Sequence, residues 1–113
     1  MKKTTKTAAK KTQKPARRTV IIGNDKYGLY YGDVEDSDDQ IIAKKAVRVF
    51  GCRHVFRWFG GTGGITSLAA WGLRAGADNR IGAPADALIT GVVNVFDVTA
   101  EAKATFDATP ASR

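Results

Sequence analysis

Ile41-Ile-Ala-Lys-Lys-Ala-Val-Arg-Val-Phe-Gly-Cys-Arg-His-Val-Phe-Arg-Trp-Phe59 carries the reading of the fold. Ile41 to Phe50 predicts a strand, Gly51-Cys52 interrupts it, and Arg53 to Phe59 resumes it. β-branched and aromatic residues suit a pleated, half-buried surface. Alternate side chains of a strand share a face. Unbroken alternation places Arg53, Val55, Arg57 and Phe59 on one side and His54, Phe56 and Trp58 on the other.

The flanks extend this pattern. Upstream, Thr19-Val-Ile-Ile22 predicts a first strand, Gly23-Asn-Asp-Lys26 a turn, and Tyr27 to Val34 a second strand with Gly28 and Gly32 as bulge points. Glu35-Asp-Ser-Asp-Asp39 reads as an acidic turn. Downstream, Gly60-Gly-Thr-Gly-Gly64 precedes a change of period. Ile65, Leu68, Ala69, Gly72 and Ala75 fall at helical spacing, with Thr62 or Thr66 as cap and Gly76 as stop. Residues 77–86 form a loop, and Ala87 to Val98 is the clearest strand. Thr99 caps a short helix ending near Asp107. The fold class is α+β and β-rich. It is a small antiparallel sheet or partly open barrel, with one central helix, one C-terminal helix and a disordered basic N-terminal arm.

Charge divides the chain differently from hydropathy. Its first eighteen residues carry eight positive charges and no negative one, so removing them takes the net charge from +7 to −1. These are Lys2, Lys3, Lys6, Lys10, Lys11, Lys14, Arg17 and Arg18. With no Leu, Ile, Val or aromatic residue, residues 1–18 cannot bury enough apolar surface to offset ordering entropy. They read as a disordered cationic tail, 19–108 as one globular domain and 109–113 as a flexible C-terminus. A single cysteine, Cys52, excludes an internal disulfide and fits a reducing compartment. Neither an apolar leader of 7–15 residues nor a run near the roughly 20 residues of a membrane span is present. The expectation is a soluble protein of the host cytoplasm or a virion, with no membrane partner.

Several stretches resemble a family of small uncharacterised phage and prophage proteins. Tyr27-Gly-Leu-Tyr-Tyr-Gly-Asp-Val34 is similar to that family's opening strand. Cys52-Arg-His-Val-Phe-Arg-Trp-Phe-Gly-Gly61 resembles its signature Ala-Arg-Arg-Ile-Trp-x-Trp-x-Gly-Ala. Thr66 to Leu73 resembles its following helix, Leu88 to Val98 its Ile-x-Leu-Thr-Glu-x-Ile-Glu-Ile-Ile-Pro strand, and Thr99-Ala-Glu-Ala102 its closing Thr-x-Glu-Ala. The likeness covers about residues 26–105. It departs at His54, at Arg57 between the aromatics, and at Gly91. It implies an accessory protein of phage or prophage origin and carries no activity over.

Arg53 to Phe59 interleaves cations with rings, the pattern that holds single strands and nucleotides by base stacking and phosphate contact. Arg53, His54, Arg57 and Trp58 are therefore candidate ligand contacts. The competing reading puts Phe56 and Trp58 in the core and Arg53 and Arg57 on the solvated face. Gly61, Thr62 and Gly63 join the candidates because backbone N–H groups before a helix attract anions. The Walker pattern fails, since Ile65-Thr66 stands where Lys-Ser/Thr belongs, and the dinucleotide pattern fails at Thr66. Asp33 to Asp39 fails the calcium-loop pattern, with Asp38 at position six and Lys44 at position twelve. Cys52 and His54 lack further zinc ligands at suitable spacing, and His54 lacks a nucleophile partner. No catalytic residue, metal or cofactor is assigned.

These residues point to a non-enzymatic binding protein of phage or prophage type, with nucleic acid or a nucleotide as ligand and the tail supplying nonspecific phosphate affinity. One alternative is a virion or assembly protein whose body forms a homo-oligomer and whose arm contacts capsid or genome. Another is a counter-defence protein that binds a host protein or sequesters a signalling nucleotide.

Overall fold

Val20, Ile21 and Ile22 are consecutive, and none has any exposed surface. Successive strand residues point to opposite faces, so this run needs apolar cover on both sides of its sheet. The computed structural model, which describes residues 16–26, 28–58 and 63–112, supplies it with a curled antiparallel sheet that has a core on each face.

The strands are β1 (Arg18–Asn24), β2 (Leu29–Val34), β3 (Ala46–Arg57), β4 (Arg80–Ile81), β5 (Ala85–Thr90) and β6 (Val92–Asp97). β1 lies between β2 and β6, β2 between β1 and β3, and both β4 and β5 pair with β3. β4 and β5 follow one another along a single edge of β3: Val55 faces Ile81, Cys52 faces Ala85 and Ala46 faces Thr90. They are one strand broken at residues 82–84, where Pro84 has no N–H to donate to a ladder.

The stretch 87–98, expected as one strand, is two. Gly91 turns the chain at φ +65°, and a Cβ there would collide with the Asp25 carboxylate. β5 belongs to one edge of the sheet and β6 to the other, yet only Gly91 separates them. The sheet therefore curls until its edges nearly meet. Asp25 N–H donates to Gly91 O at 2.8 Å and Val92 N–H to Lys45 O at 3.0 Å across that meeting point. The sheet is not closed.

Inside the curl, Val20, Ile22, Val34, Val47, Val49, Cys52 and Ile89 pack together with Ile41. Ile41 comes from α1 (Asp38–Lys44), which stands where the sequence predicts an acidic turn and the start of a strand. The reason is a capping box: the Ser37 hydroxyl accepts from Gln40 N–H, and the Gln40 side chain accepts from Ser37 N–H. Asp38 and Asp39 suit the positive end of the helix dipole and Lys44 its negative end. The strand thus begins at Ala46 rather than Ile41.

Outside the curl, Ile21, Tyr31, Val55 and Ile81 meet Leu68, Ala69, Leu73 and Phe106. This second core lies under α2 (Gly64–Trp71) and α3 (Ala100–Ala108). Thr99 N-caps α3 by accepting from Ala102 N–H, and its own hydroxyl donates to Ala70 O at 2.6 Å, joining the helices. Arg18 already belongs to β1, and at the other end Ser112 N–H donates to Ile81 O at 2.8 Å. The predicted tail, apart from residues 16–18, lies outside the described residues. No helix among those described is long and apolar enough to cross a membrane.

Candidate nucleic-acid interface

β3 carries Arg53, His54 and Arg57, and two bulges decide which face each one occupies. Val47 and Val49 point inward. Gly51 then adopts φ +61°, the ladder slips, and the inward position passes from odd to even numbers at Cys52. Gly51-Cys52 is thus a bulge within a continuous twelve-residue strand, not an interruption. The register slips again between Val55 and Arg57.

After the first bulge Arg53 points into the outer core. It is 8% exposed, the one buried charged residue among those described. Its Nε donates to Gly82 O at 2.7 Å, Nη1 to Phe106 O at 2.8 Å and Nη2 to Thr109 O at 2.9 Å. Burial lowers its pKa from the ordinary value, opposed by Tyr31 and Asp107. The guanidinium satisfies carbonyls at the C-terminal end of α3, where a cation also meets the negative end of the dipole. Arg53 therefore joins β3, α3 and the break between β4 and β5, and offers no free donor fork to a ligand.

Its neighbours complete this internal network. The Tyr31 ring stacks on Phe106 at 4.1 Å, and its hydroxyl donates to Asp107 Oδ1 at 3.2 Å. Burial, reinforced by Asp107, raises the phenol far above its usual range. Lys103 donates to Asp107 at 2.7 Å and holds that carboxyl below the ordinary carboxylate value. Cys52 faces the inner core, and burial pushes its thiol up to about 11. No cluster of three metal-ligating side chains occurs among the described residues.

The opposite face of β3 is open. His54 lies opposite Tyr30 on β2 and stacks on it at 4.9 Å with the planes 20° apart. Phe56 follows, its ring 5.7 Å from His54 and its side chain half exposed. Val55 and Ile81 both face the outer core, so the alternate residues Phe56 and Arg80 turn to the other side. The second bulge leaves Arg57 opposite Arg80 and returns Trp58 to the outer core. Arg57 is thereby parted from Arg53, with which simple alternation groups it. Trp58 is parted likewise from His54 and Phe56.

Arg57 and Arg80 share one carboxylate. Arg57 Nε lies 3.2 Å from Asp78 Oδ2, and Arg80 Nε donates to Asp78 Oδ1 at 3.1 Å. All three side chains are more than half exposed. Beside them a cleft of about 500 Å³ runs between Arg57, Trp58, Arg74, Gly76 and Asp78. Gly63 caps α2 with its backbone alone, and Gly61 and Thr62 lie outside the described residues.

Two of the predicted tail contacts are occupied within the body. Arg17 donates to Glu35 at 3.0 Å and lies 3.9 Å above the Phe50 ring. Arg18 bridges Asp97 at 3.1 Å and Asp38 at 2.5 Å. Lys2, Lys3, Lys6, Lys10, Lys11 and Lys14 lie outside the described residues. Sequence reasoning missed Tyr30, Arg74, Asp78 and Arg80 as members of the open face and its cleft, and set Phe56 in the core as the competing reading. The signal for Arg80 was its place at a strand edge, visible only once residues 80–90 are aligned along β3.

Fold and surface together define a small α+β sheet protein with a buried structural arginine and an exposed face of rings and guanidiniums. The chain belongs to the family described as Domain of unknown function (DUF6948), whose model matches residues 17–106. No curated protein and no solved structure shows a significant match to it.

Proposed function

We propose that the protein binds nucleic acid through its phosphates, without catalysis, as an accessory protein of phage or prophage type. The observation that supports this best is the Arg57–Asp78–Arg80 arrangement beside the Arg74 and Trp58 cleft. Two arginines held on one exposed carboxylate keep an excess positive charge at that point of a body whose own charge is −1 from residue 19 onward. Exposed ion pairs contribute only about 0–1 kcal/mol, so a phosphate displaces Asp78 at little cost. Guanidinium forks match phosphate oxygens in pairs. The six lysines of residues 1–15 add sequence-blind attraction.

The test is fluorescence anisotropy of the full chain against labelled DNA at low salt. Arg57→Gln with Arg80→Gln should weaken binding at least tenfold without altering the unfolding midpoint. Unchanged affinity in that double variant would remove the face from the interface.

A second reading, self-association of an assembly protein, has its own observation. β6 is the outer strand of its edge, with β1 as partner. Val93 on it and Ile42 on α1 are 61% and 70% exposed and line one cleft with Asp38 and Asn94. An outer strand presents unpaired backbone groups to a second chain. Light scattering that finds a dimer in the wild type and a monomer in Val93→Lys supports it; a wild-type monomer at high concentration rejects it.

A further inference from the structure

Tyr30, His54 and Phe56 form a row of rings across β2 and β3 that begins at the rim of the inner core and ends in solvent. Tyr30 is held in place because it also packs against that core. Gly82, the next residue along the β4 edge, has no side chain to cover the row, and its N–H binds His54 O at 2.9 Å. The row leads directly into Arg57 and, across the ladder, Arg80.

Rings ending beside paired guanidiniums differ from a simple phosphate patch. Duplex DNA keeps its bases stacked on one another, so it presents phosphates but no free base faces. A single strand presents both, and base–aromatic stacking tolerates any sequence because every base has a π-face. An exposed Phe56 gains nothing from a duplex backbone, whereas an unpaired base can cover it.

Resting on the nucleic-acid reading above, we infer that this face binds single-stranded nucleic acid, with unpaired bases stacked on His54 and Phe56 and the adjoining phosphates on Arg57 and Arg80. The strand crosses β2, β3 and β4 rather than running along the cleft alone. Charge complementarity favours this occupant over a protein partner, because the rings adjoin cations rather than further apolar surface.

The test is anisotropy of the full chain against a labelled oligonucleotide of about a dozen nucleotides, within the usual site sizes of single-strand binders, and against a duplex of the same length at the same salt. The wild type should prefer the single strand. Phe56→Ala and His54→Ala should each weaken single-strand binding roughly five- to hundredfold, the range of one lost stacking contact, and leave duplex binding within about twofold. Phe56→Trp should restore affinity. Trp71→Ala, at another exposed ring on α2, should change neither. Arg57→Gln with Arg80→Gln should weaken both ligands. Equal wild-type affinity for the two ligands, or single-strand binding unaffected by Phe56→Ala and His54→Ala, overturns the single-strand inference and leaves the phosphate reading standing. Failure of the wild type to bind either ligand overturns both.

Discussion

Replacing Arg53 by Met keeps the length and much of the volume of the side chain but removes all its donors. The carbonyls of Gly82, Phe106 and Thr109 then lose partners now 2.7–2.9 Å away. Hydrogen bonds to a charged group contribute about 1.5–3 kcal/mol each. They share one guanidinium and so do not add independently. Leaving a buried acceptor unsatisfied costs about 1–3 kcal/mol, and with three carbonyls orphaned together a loss of about 3 kcal/mol or more is expected here. It is a large share of the roughly 5–15 kcal/mol that holds a domain together. For a domain of this size each kcal/mol shifts Tm by about 4–8 °C, so Arg53→Met should melt at least ~12 °C lower. Urea denaturation of the full chain, followed by tryptophan fluorescence, gives the free-energy difference directly. Arg53→Lys keeps the charge but not the planar fork, and should recover less than half of the loss. A Met variant within about 0.5 kcal/mol of wild type, the range of ordinary surface changes, would refute the structural assignment. So would a variant of normal stability that had lost nucleic-acid affinity.

Three further expectations follow from other parts of the molecule. Changing Lys2, Lys3, Lys6, Lys10, Lys11 and Lys14 to Gln in the full chain should reduce the slope of log K against log salt on duplex DNA by about 5, from roughly 0.9 per phosphate neutralised; an unchanged slope would show that these lysines do not meet the backbone. Ser37→Ala removes the capping box of α1 and should lower stability by about 0.5–2 kcal/mol in urea titration, with no effect on DNA binding. Cys52 should react slowly with a thiol reagent in the native chain at pH 8 and rapidly in denaturant, its native rate climbing with pH toward about 11. Because the folded thiol titrates above the unfolded one, its contribution to stability is intact below the unfolded pKa. It is lost as pH rises through the folded value; a plateau in the native rate near pH 9 would contradict the burial of the thiol.

The class of the fold was legible because it rests on local pattern. Val20-Ile-Ile22, the aromatic run before Val34 and the helical period from Ile65 all have short-range physical causes. The elements misread had causes that compete at short range. Ser37 and Gln40 close a capping box, which outweighs the strand preference of Ile41 and Ile42 because it satisfies helix N–H groups at once. Gly91 reads as a weak point inside a strand until its positive φ and the neighbouring Asp25 make it a turn. What the sequence could not display was that β4 and β5 lie along the same edge of β3. That is a long-range pairing, and without it Arg80 has no relation to Arg57.

The candidate site depended on the same long-range facts through bulges. An unbulged strand from Ala46 to Trp58 would keep Arg53 and Arg57 on one face and His54, Phe56 and Trp58 on the other. One extra residue at Gly51 turns Arg53 toward the carbonyls at the end of α3. Another near Phe56 turns Arg57 to the open side and Trp58 back to the outer core. Each bulge moves every later side chain to the opposite face. The same seven-residue motif thus supplies two chemistries: a buried arginine that locks the C-terminal helix, and an exposed arginine beside stacked rings. Their separation carries a direct consequence. Stability should follow Arg53 and binding should follow Phe56 and Arg57, so an Arg53→Met, Phe56→Ala double variant should show the two losses added, without coupling. Coupling above about 0.5 kcal/mol would mean that the bulges do not insulate one face from the other.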